Sequence, residues 1–310
     1  MGLHLFYFFI YPGLLFAGIV GGLIAWVDRK VTARVQFRKG PPLLQPFYDF
    51  LKLLLVKETV IPNKGSALIF IMAPVFALFG ATASALLILL PAFGISTGFQ
   101  GDILVLFYLL AIPSLMFVIG AMASGNPLSA VGASREIKLI LSYELSFLLV
   151  IAGVILKSDM TIHLDQIMLF QQENGAHIAS ISGVLLFLVS VFVVQAKAGL
   201  VPFDQAEAET EIAEGIFIEY SGTAYAIIKY TKYILMFILP VFVAETLLGG
   251  LSFAGIDILW SLLKIVLVIV LMVLIRNTNP RIKISQAMRF FLIGMNLLVI
   301  IALALHYIGL

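Results

Sequence analysis

The sequence predicts an all-α fold: a polytopic integral membrane protein with about eight transmembrane helices and an amphipathic cytoplasmic surface helix. Three observations carry that prediction. The 310 residues are 62% hydrophobic and only 12% charged, against about 25% charged in soluble domains. The 19 basic and 17 acidic residues are clustered, which leaves uncharged runs of about 20 residues, enough to cross a bilayer. The basic clusters also alternate from loop to loop, as cytoplasmic loops require.

The apolar runs lie at about 5–27, 66–92, 103–122, 136–156, 180–196, 218–246, 259–275 and 290–309. The first begins near Met1 but is too long for the apolar core of a signal peptide and lacks a basic flank before it, so it reads as a retained span. Loops 28–64, 123–138, 197–217 and 276–289 hold 15 of the 19 Lys and Arg, while the opposite side holds only Lys157. The positive-inside rule then places both termini outside the cytoplasm. Residues 1–310 form a single membrane domain, with 28–64 and 197–217 as cytoplasmic docking loops and no internal repeat.

The chain has no cysteine, which excludes disulfides, thiolate nucleophiles and iron–sulfur or zinc–thiolate ligation. His4, His163, His177 and His306 are scattered, with no HExxH spacing. No catalytic residue, cofactor ligand or metal ligand is therefore assigned here, and nothing points to nucleic acid.

Segment 28–64 is too long for a simple connector and too apolar in its middle for a solvated one. Pro46 can start a helix whose apolar face is Phe47, Phe50, Leu51, Leu54 and Leu55, with Gln45, Asp49 and Lys52 on the polar face. As a lipid-anchoring helix it needs no partner. As a docking platform it would use Arg34, Arg38 and Lys39 as a basic rim before the Gly40-Pro41-Pro42 turn.

Segment 202–222, PFDQAEAETEIAEGIFIEYSG, breaks the charge rule. It is on the cytoplasmic side, yet it carries Asp204, Glu207, Glu209, Glu211, Glu214 and Glu219 with no basic residue. On a helix starting near Asp204, residues 204, 207, 211 and 214 share a face and Glu209 points elsewhere. A D-x-x-E capping box accounts for Asp204 and Glu207, but not for Glu211 and Glu214, whose like charges oppose a helix unless protonated or paired. Such a row leading toward a membrane suits a proton relay.

Charges inside spans are costly, about 2.5–3.5 kcal/mol at the bilayer centre even on lenient scales, and usually serve a function. Glu144 stands about 12 Å along its predicted helix and Lys232 about 21 Å along its own, with Lys229 one turn before Lys232. Lys264 is also deep, whereas Lys138, Glu219 and Glu245 are near enough to span ends to snorkel. Tyr143, Tyr220, Tyr225, Tyr230 and Tyr233 can donate or accept along a route past these groups.

RKGPPLLQPFYDFLK at 38–52 and PFDQAEAETEIAEGIFIEYSG at 202–222 resemble the two signatures of the H component of bacterial respiratory complex I, called ND-one in mitochondria. The resemblance covers nearly the whole chain. Two departures bear on the branch, and the first resembles the membrane subunit of group 4 energy-converting, Ech-like nickel–iron hydrogenases. Gly40-Pro41-Pro42 runs almost directly into Leu44-Gln45-Pro46, and Lys232 stands where the complex I protein tends to carry a glutamate. The resemblance implies a subunit that anchors a soluble redox arm and opens a charged path toward antiporter-like membrane subunits. Arg38, Gln45, Asp49 and Lys52 would belong to the docking motif; Asp204, Glu207, Glu211, Glu214 and Glu219 to the acidic path; Glu144, in SYELSFLL, to the intramembrane glutamate. It further implies soluble hydrogenase-like large and small subunits and an iron–sulfur subunit, which would hold the nickel–iron and iron–sulfur centres. The alternatives are the quinone-binding H component of complex I, its counterpart in a sulfur-reducing complex and, more distantly, a stand-alone secondary transporter. The last would show paired repeats with broken helices. An intramembrane hydrolase lacks its motifs, HExxH and GxGD, and Gly101-Asp102 falls in an outer loop.

Overall fold

Proline, glycine and capping residues decide where the apolar runs become helices. A computed structural model describes residues 2–63, 65–95, 101–253 and 255–309. Lys64, at the end of the first docking loop, and residues 96–100 of the 93–102 loop lie outside the described residues. The helices are α1 (Gly2–Phe9), α2 (Leu14–Val35), α3 (Gln45–Leu55), α4 (Ala67–Ala92), α5 (Ile103–Ala123), α6 (Pro127–Lys157), α7 (Leu164–Asn174), α8 (Ile181–Lys197), α9 (Glu209–Ile212), α10 (Gly222–Leu247), α11 (Asp257–Thr278), α12 (Ile284–Arg289) and α13 (Asn296–Tyr307). A π-turn, Phe290–Met295, joins α12 to α13.

Among the described residues, seven segments are long and apolar enough to cross a membrane: Gly2–Val35, Ala67–Ala92, Ile103–Ala123, Pro127–Lys157, Gly222–Leu247, Asp257–Thr278 and Ile284–Tyr307. The eighth, α8, has 17 residues. At about 1.5 Å per residue it still rises about 25 Å, and it runs beside the later part of α6, because Lys157 at the end of α6 bonds Ser180 and Ser182 at the start of α8. At the other end, Lys197 closing α8 meets Glu144 of α6. The prediction of about eight crossings therefore stands on seven long helices and one short one.

Two predicted boundaries are corrected. The first run is not one helix: the chain breaks between α1 and α2 at 10–13, where Pro12 offers no backbone N–H, and α2 then continues to Val35, well into the presumed loop. The fourth helix begins at Pro127 rather than near 136, with Asn126 Oδ1 accepting from the Leu128 amide at 2.8 Å. Asparagine at the cap and proline at the first helical position form a recognised start signal. Glu144 therefore stands about 26 Å along its helix and, counted from Gly222, Lys232 about 15 Å along α10.

Helix α10 occupies the centre, packed on α2, α3, α4, α8 and α11. Glycines on α2 permit that closeness. A Cβ on Gly21 would lie 1.8 Å from the Tyr233 carbonyl oxygen, so the two backbones touch. Tyr230 and Tyr220 donate to the Leu14 and Phe70 carbonyls at 3.1 Å each. These two tyrosines fasten neighbouring elements rather than line a route.

The end of the bundle opposite segment 202–222 is lined by aromatic side chains. There Tyr11 packs on Phe93 and Phe93 on Phe253, with ring centroids 5.1 and 4.6 Å apart. Lys264 is nearer this end than predicted, donating to the Gly250 carbonyl at 2.8 Å. Glu245 does not snorkel; it is buried.

Candidate functional site

The acidic segment is not the continuous helix the sequence predicts. It folds as a 3-10 turn Gln205–Glu207, the single turn α9 and a second 3-10 turn Gly215–Phe217. Ala213 and Glu214 between them are left-handed, at φ 50° and 68°, a conformation that costs about 1–3 kcal/mol per non-glycine residue. The breaks let each carboxylate reach a different cation, which a straight helix with four on one face could not do. Asp204 makes no capping bond; it takes a two-point pair from Arg281, at 2.9 and 2.6 Å. Glu207 pairs with Lys232 of α10. Glu211, half exposed, pairs outward with Arg135 at 2.7 Å. Glu219 accepts from Asn126 at 2.5 Å.

The predicted face is accordingly re-sorted. Glu207, Glu209 and Glu214 line a cavity of about 110 Å³ with Phe217, Tyr225, Lys229 and Lys232. Glu209, predicted to point elsewhere, belongs to the inner set, while Glu211 and Glu219 stand outside it. On its far side the Glu207–Lys232 pair, with Glu209, also lines a second cavity of about 310 Å³ that reaches Asp204, Arg281, Asp28 and Arg276. Asp28 is itself paired with Arg276. Lys229, one turn before Lys232, lies within the fields of Asp49 and Arg29 on one side and Glu214 on the other.

Deeper in the bundle, Glu144 pairs with Lys197, whose side chain is 1% exposed. Lys197 also lies over the rings of Tyr143 and Phe147, at 5.2 and 4.9 Å, a setting that favours a cation. Tyr143 donates to Ser114 at 3.2 Å, and Ser146 donates to Asn296 at 2.6 Å. Between the two ion pairs stands Glu136, within electrostatic reach of Glu207, Lys232 and Lys197. The charged groups thus form a sequence: Asp204–Arg281 at the surface, then Glu207–Lys232, Glu136, and Lys197–Glu144 inside.

Sequence reasoning misses Glu136 and Lys197. Glu136 falls at a span boundary in the hydropathy pattern, and Lys197 reads as a loop cation. An Asn-Pro helix start at 126–127 is the available signal for the first. For Lys197, which closes α8, the sequence carries no comparable signal.

At the other docking segment, α3 forms as predicted, starting with Pro46 in its first turn. Asp49 accepts from Arg29 at 3.0 Å and from Gln45 at 2.8 Å, so Asp49 ties α3 to α2 and Gln45, within α3, supports that carboxylate. Arg34, Arg38, Lys39 and Lys52 are exposed. Burial alone would raise the Asp49 pKa, but the hydrogen bonds from Arg29 and Gln45 outweigh it and hold it below the usual carboxylate range. Its contribution is therefore present above the unfolded value and lost as pH falls through the depressed one. Asp49→Asn should loosen α3 at neutral pH by up to about 1 kcal/mol, the range of partly exposed pairs. Faster hydrogen exchange across 45–55, with no further acceleration on acidification, is the expected readout.

The chain matches the family model described as NADH dehydrogenase over residues 9–307. It is 33% identical to the H component of the NADH-quinone oxidoreductase of Thermomicrobium roseum, covering 96% of this chain and 93% of that protein. The same component from Anoxybacillus flavithermus is 34% identical, covering 92% and 88%. A chain of the membrane-bound sulfane sulfur reductase, an archaeal respiratory membrane complex, superposes with a TM-score of 0.87 at 28% identity, covering 97% of this chain and 98% of that one. Fold and likeness together define a polytopic membrane subunit of a redox-driven complex, one that works with other subunits. The chain belongs to the NADH dehydrogenase family, with the H components of NADH-quinone oxidoreductases among its relatives.

Proposed function

We propose that this chain is the membrane anchor and coupling subunit of a redox-driven ion-pumping complex of the group 4 membrane-bound hydrogenase branch. The observation that carries this reading is the succession of charged groups from the docked acidic loop to Glu144. In this reading the nickel–iron and iron–sulfur centres belong to soluble partners seated on α3, the Arg34–Lys39 rim and the acidic loop. Antiporter-like membrane subunits receive the signal, and both termini face away from the cytoplasm.

The coupling step is electrostatic. A unit charge arriving about 8 Å from a carboxylate is worth about 2 kcal/mol at an effective dielectric near 20, more than a tenfold change in proton occupancy. Electron transfer above the acidic loop would alter the proton held by Glu207, Glu209 or Glu214. Protonating Glu207 releases Lys232, whose free charge then acts on Glu136, and through it on Lys197–Glu144. The compact 40–46 turn and Lys232 favour this reading over the quinone-reducing form, to which the curated relatives belong. The likeness to the sulfane sulfur reductase makes a sulfur-reducing complex the second reading.

Two measurements test this. In vesicles holding the intact complex, Glu144→Gln or Lys232→Met should remove proton-linked ion uptake while electron transfer to an artificial acceptor remains measurable; undiminished uptake in both variants would sink the coupling role. Nickel in the purified complex supports hydrogenase, and its absence transfers the chain to the sulfur-reducing or quinone branch.

A further inference from the structure

At the end of the bundle opposite the acidic loop stands a carboxyl that the route above does not reach. Glu245, near the C-terminal end of α10, is 1% exposed, and neither of its side-chain oxygens has a hydrogen-bond partner among the described residues. A carboxylate so placed carries a burial cost of several kcal/mol unless a cation or a proton joins it.

The cations at this end are engaged elsewhere. Lys264 of α11 donates to the carbonyls of Gly249 and Gly250, and Lys157 of α6 donates to Ser180 and Ser182. His177 is bonded to Ser158 at 2.9 Å, and burial, with Lys157 and His306 nearby, holds it down to about 4, so it is neutral at pH 7. Asp165 and Glu173 of α7 and Asp257 of α11 have the same sign as an ionised Glu245. A bound proton satisfies the site, whereas a metal cation would need several more oxygens than this carboxyl supplies.

Its position relates it to Glu144. Phe242, three residues before Glu245, packs edge-on against Phe147, three residues after Glu144, with ring centroids 5.3 Å apart. Helices α6 and α10 both run away from the acidic loop, so the aromatic pair stands between the two carboxyls. Glu144 also has one buried oxygen, Oε2, without a partner among the described residues. On the outer side, Gln171 bonds the Glu245 carbonyl and the Gly249 amide, both at 2.9 Å, and Gly249 lines a cavity of about 430 Å³.

We propose that Glu245 is a far-side proton-binding site, separated from the Glu144–Lys197 pair by a dry barrier made by Phe147 and Phe242. The proposal rests on the coupling role proposed above. The test uses the intact complex in proteoliposomes, with infrared difference spectra recorded on reduction. Glu245→Gln should remove a protonated-carboxyl band and bring proton uptake to background, and Glu245→Asp should restore part of both. Phe242→Ala should raise passive proton leak in the resting complex, a readout that does not depend on assembly of the Glu245 variants. Uptake and band unchanged in Glu245→Gln, while Glu144→Gln abolishes uptake, would overturn this site and leave the coupling role intact. If neither variant affects uptake, the coupling role fails and this site with it. A band that responds to sodium rather than to pH, or no added leak in Phe242→Ala, would also overturn it.

Discussion

Replacing Lys197 with methionine is expected to destabilise the purified complex by about 3–5 kcal/mol, the usual cost of leaving one member of a buried ion pair alone. Proton-linked ion uptake should be lost with it. Glu144 would lose its cation with one oxygen already unpartnered among the described residues, and the rings of Tyr143 and Phe147, now under a methyl-terminated chain, cannot replace the ammonium. The double variant Lys197→Met with Glu144→Gln separates structure from function. Removing both charges should recover most of the lost stability, as neutral replacements of buried pairs do, and recover none of the ion uptake. Thermal unfolding of the complex and ion uptake into vesicles, measured on the same preparations, decide the matter. A double variant that pumps would show that the pair only holds α6 to α8.

Much of the frame is legible because burial in a bilayer writes itself into the sequence as long uncharged runs. The surface helix is legible for a related reason, since Pro46 and a two-faced pattern fix its start and its orientation. Glu144 is legible as an isolated charge in an apolar run. What escapes are partnerships between distant segments. The cations that neutralise the acidic loop, Arg281, Arg135 and Lys232, lie on three other elements. No local spacing announces them, and with no partner in view the carboxylates can only be placed on an ideal helix. That placement puts Glu211 inside and Glu209 outside, the reverse of what the breaks at Ala208, Ala213 and Glu214 produce.

The broken loop also shows why the segment is both acidic and ordered. Its left-handed residues are unfavourable alone, so the fold persists only while the surrounding contacts over-determine it. Gln205 provides some of them, donating to the Pro202 and Ile282 carbonyls at 3.0 and 3.1 Å. Each ion pair provides another. A loop held in this way has a few discrete arrangements rather than a continuum, which is what a change of charge above it must act on to be transmitted.

Gly132→Val should therefore separate the loop from the bundle. A Cβ at Gly132 would lie 2.7 Å from the Ile216 nitrogen, 2.9 Å from the Gly215 carbonyl carbon and 3.1 Å from the Ala206 oxygen. All three are backbone atoms of the two 3-10 turns that flank α9, so no rotamer change can relieve the clash. Overpacking of this kind costs about 1–3 kcal/mol, and a loop displaced from α6 also loses the geometry of Glu211–Arg135 and Glu207–Lys232. Gly132 sits inside a helix, where glycine costs about 1 kcal/mol relative to alanine, and the close approach of the loop explains its presence. The expected result is a chain that inserts and folds but loses its soluble arm during purification, with ion uptake at background. Gly132→Ala should show a weaker form of the same defect. Gly294→Ala is the control, because a Cβ there meets nothing within 4 Å. A Gly132→Val complex that keeps its soluble arm and pumps at the wild-type rate would show that the acidic loop need not be seated on α6 for either task.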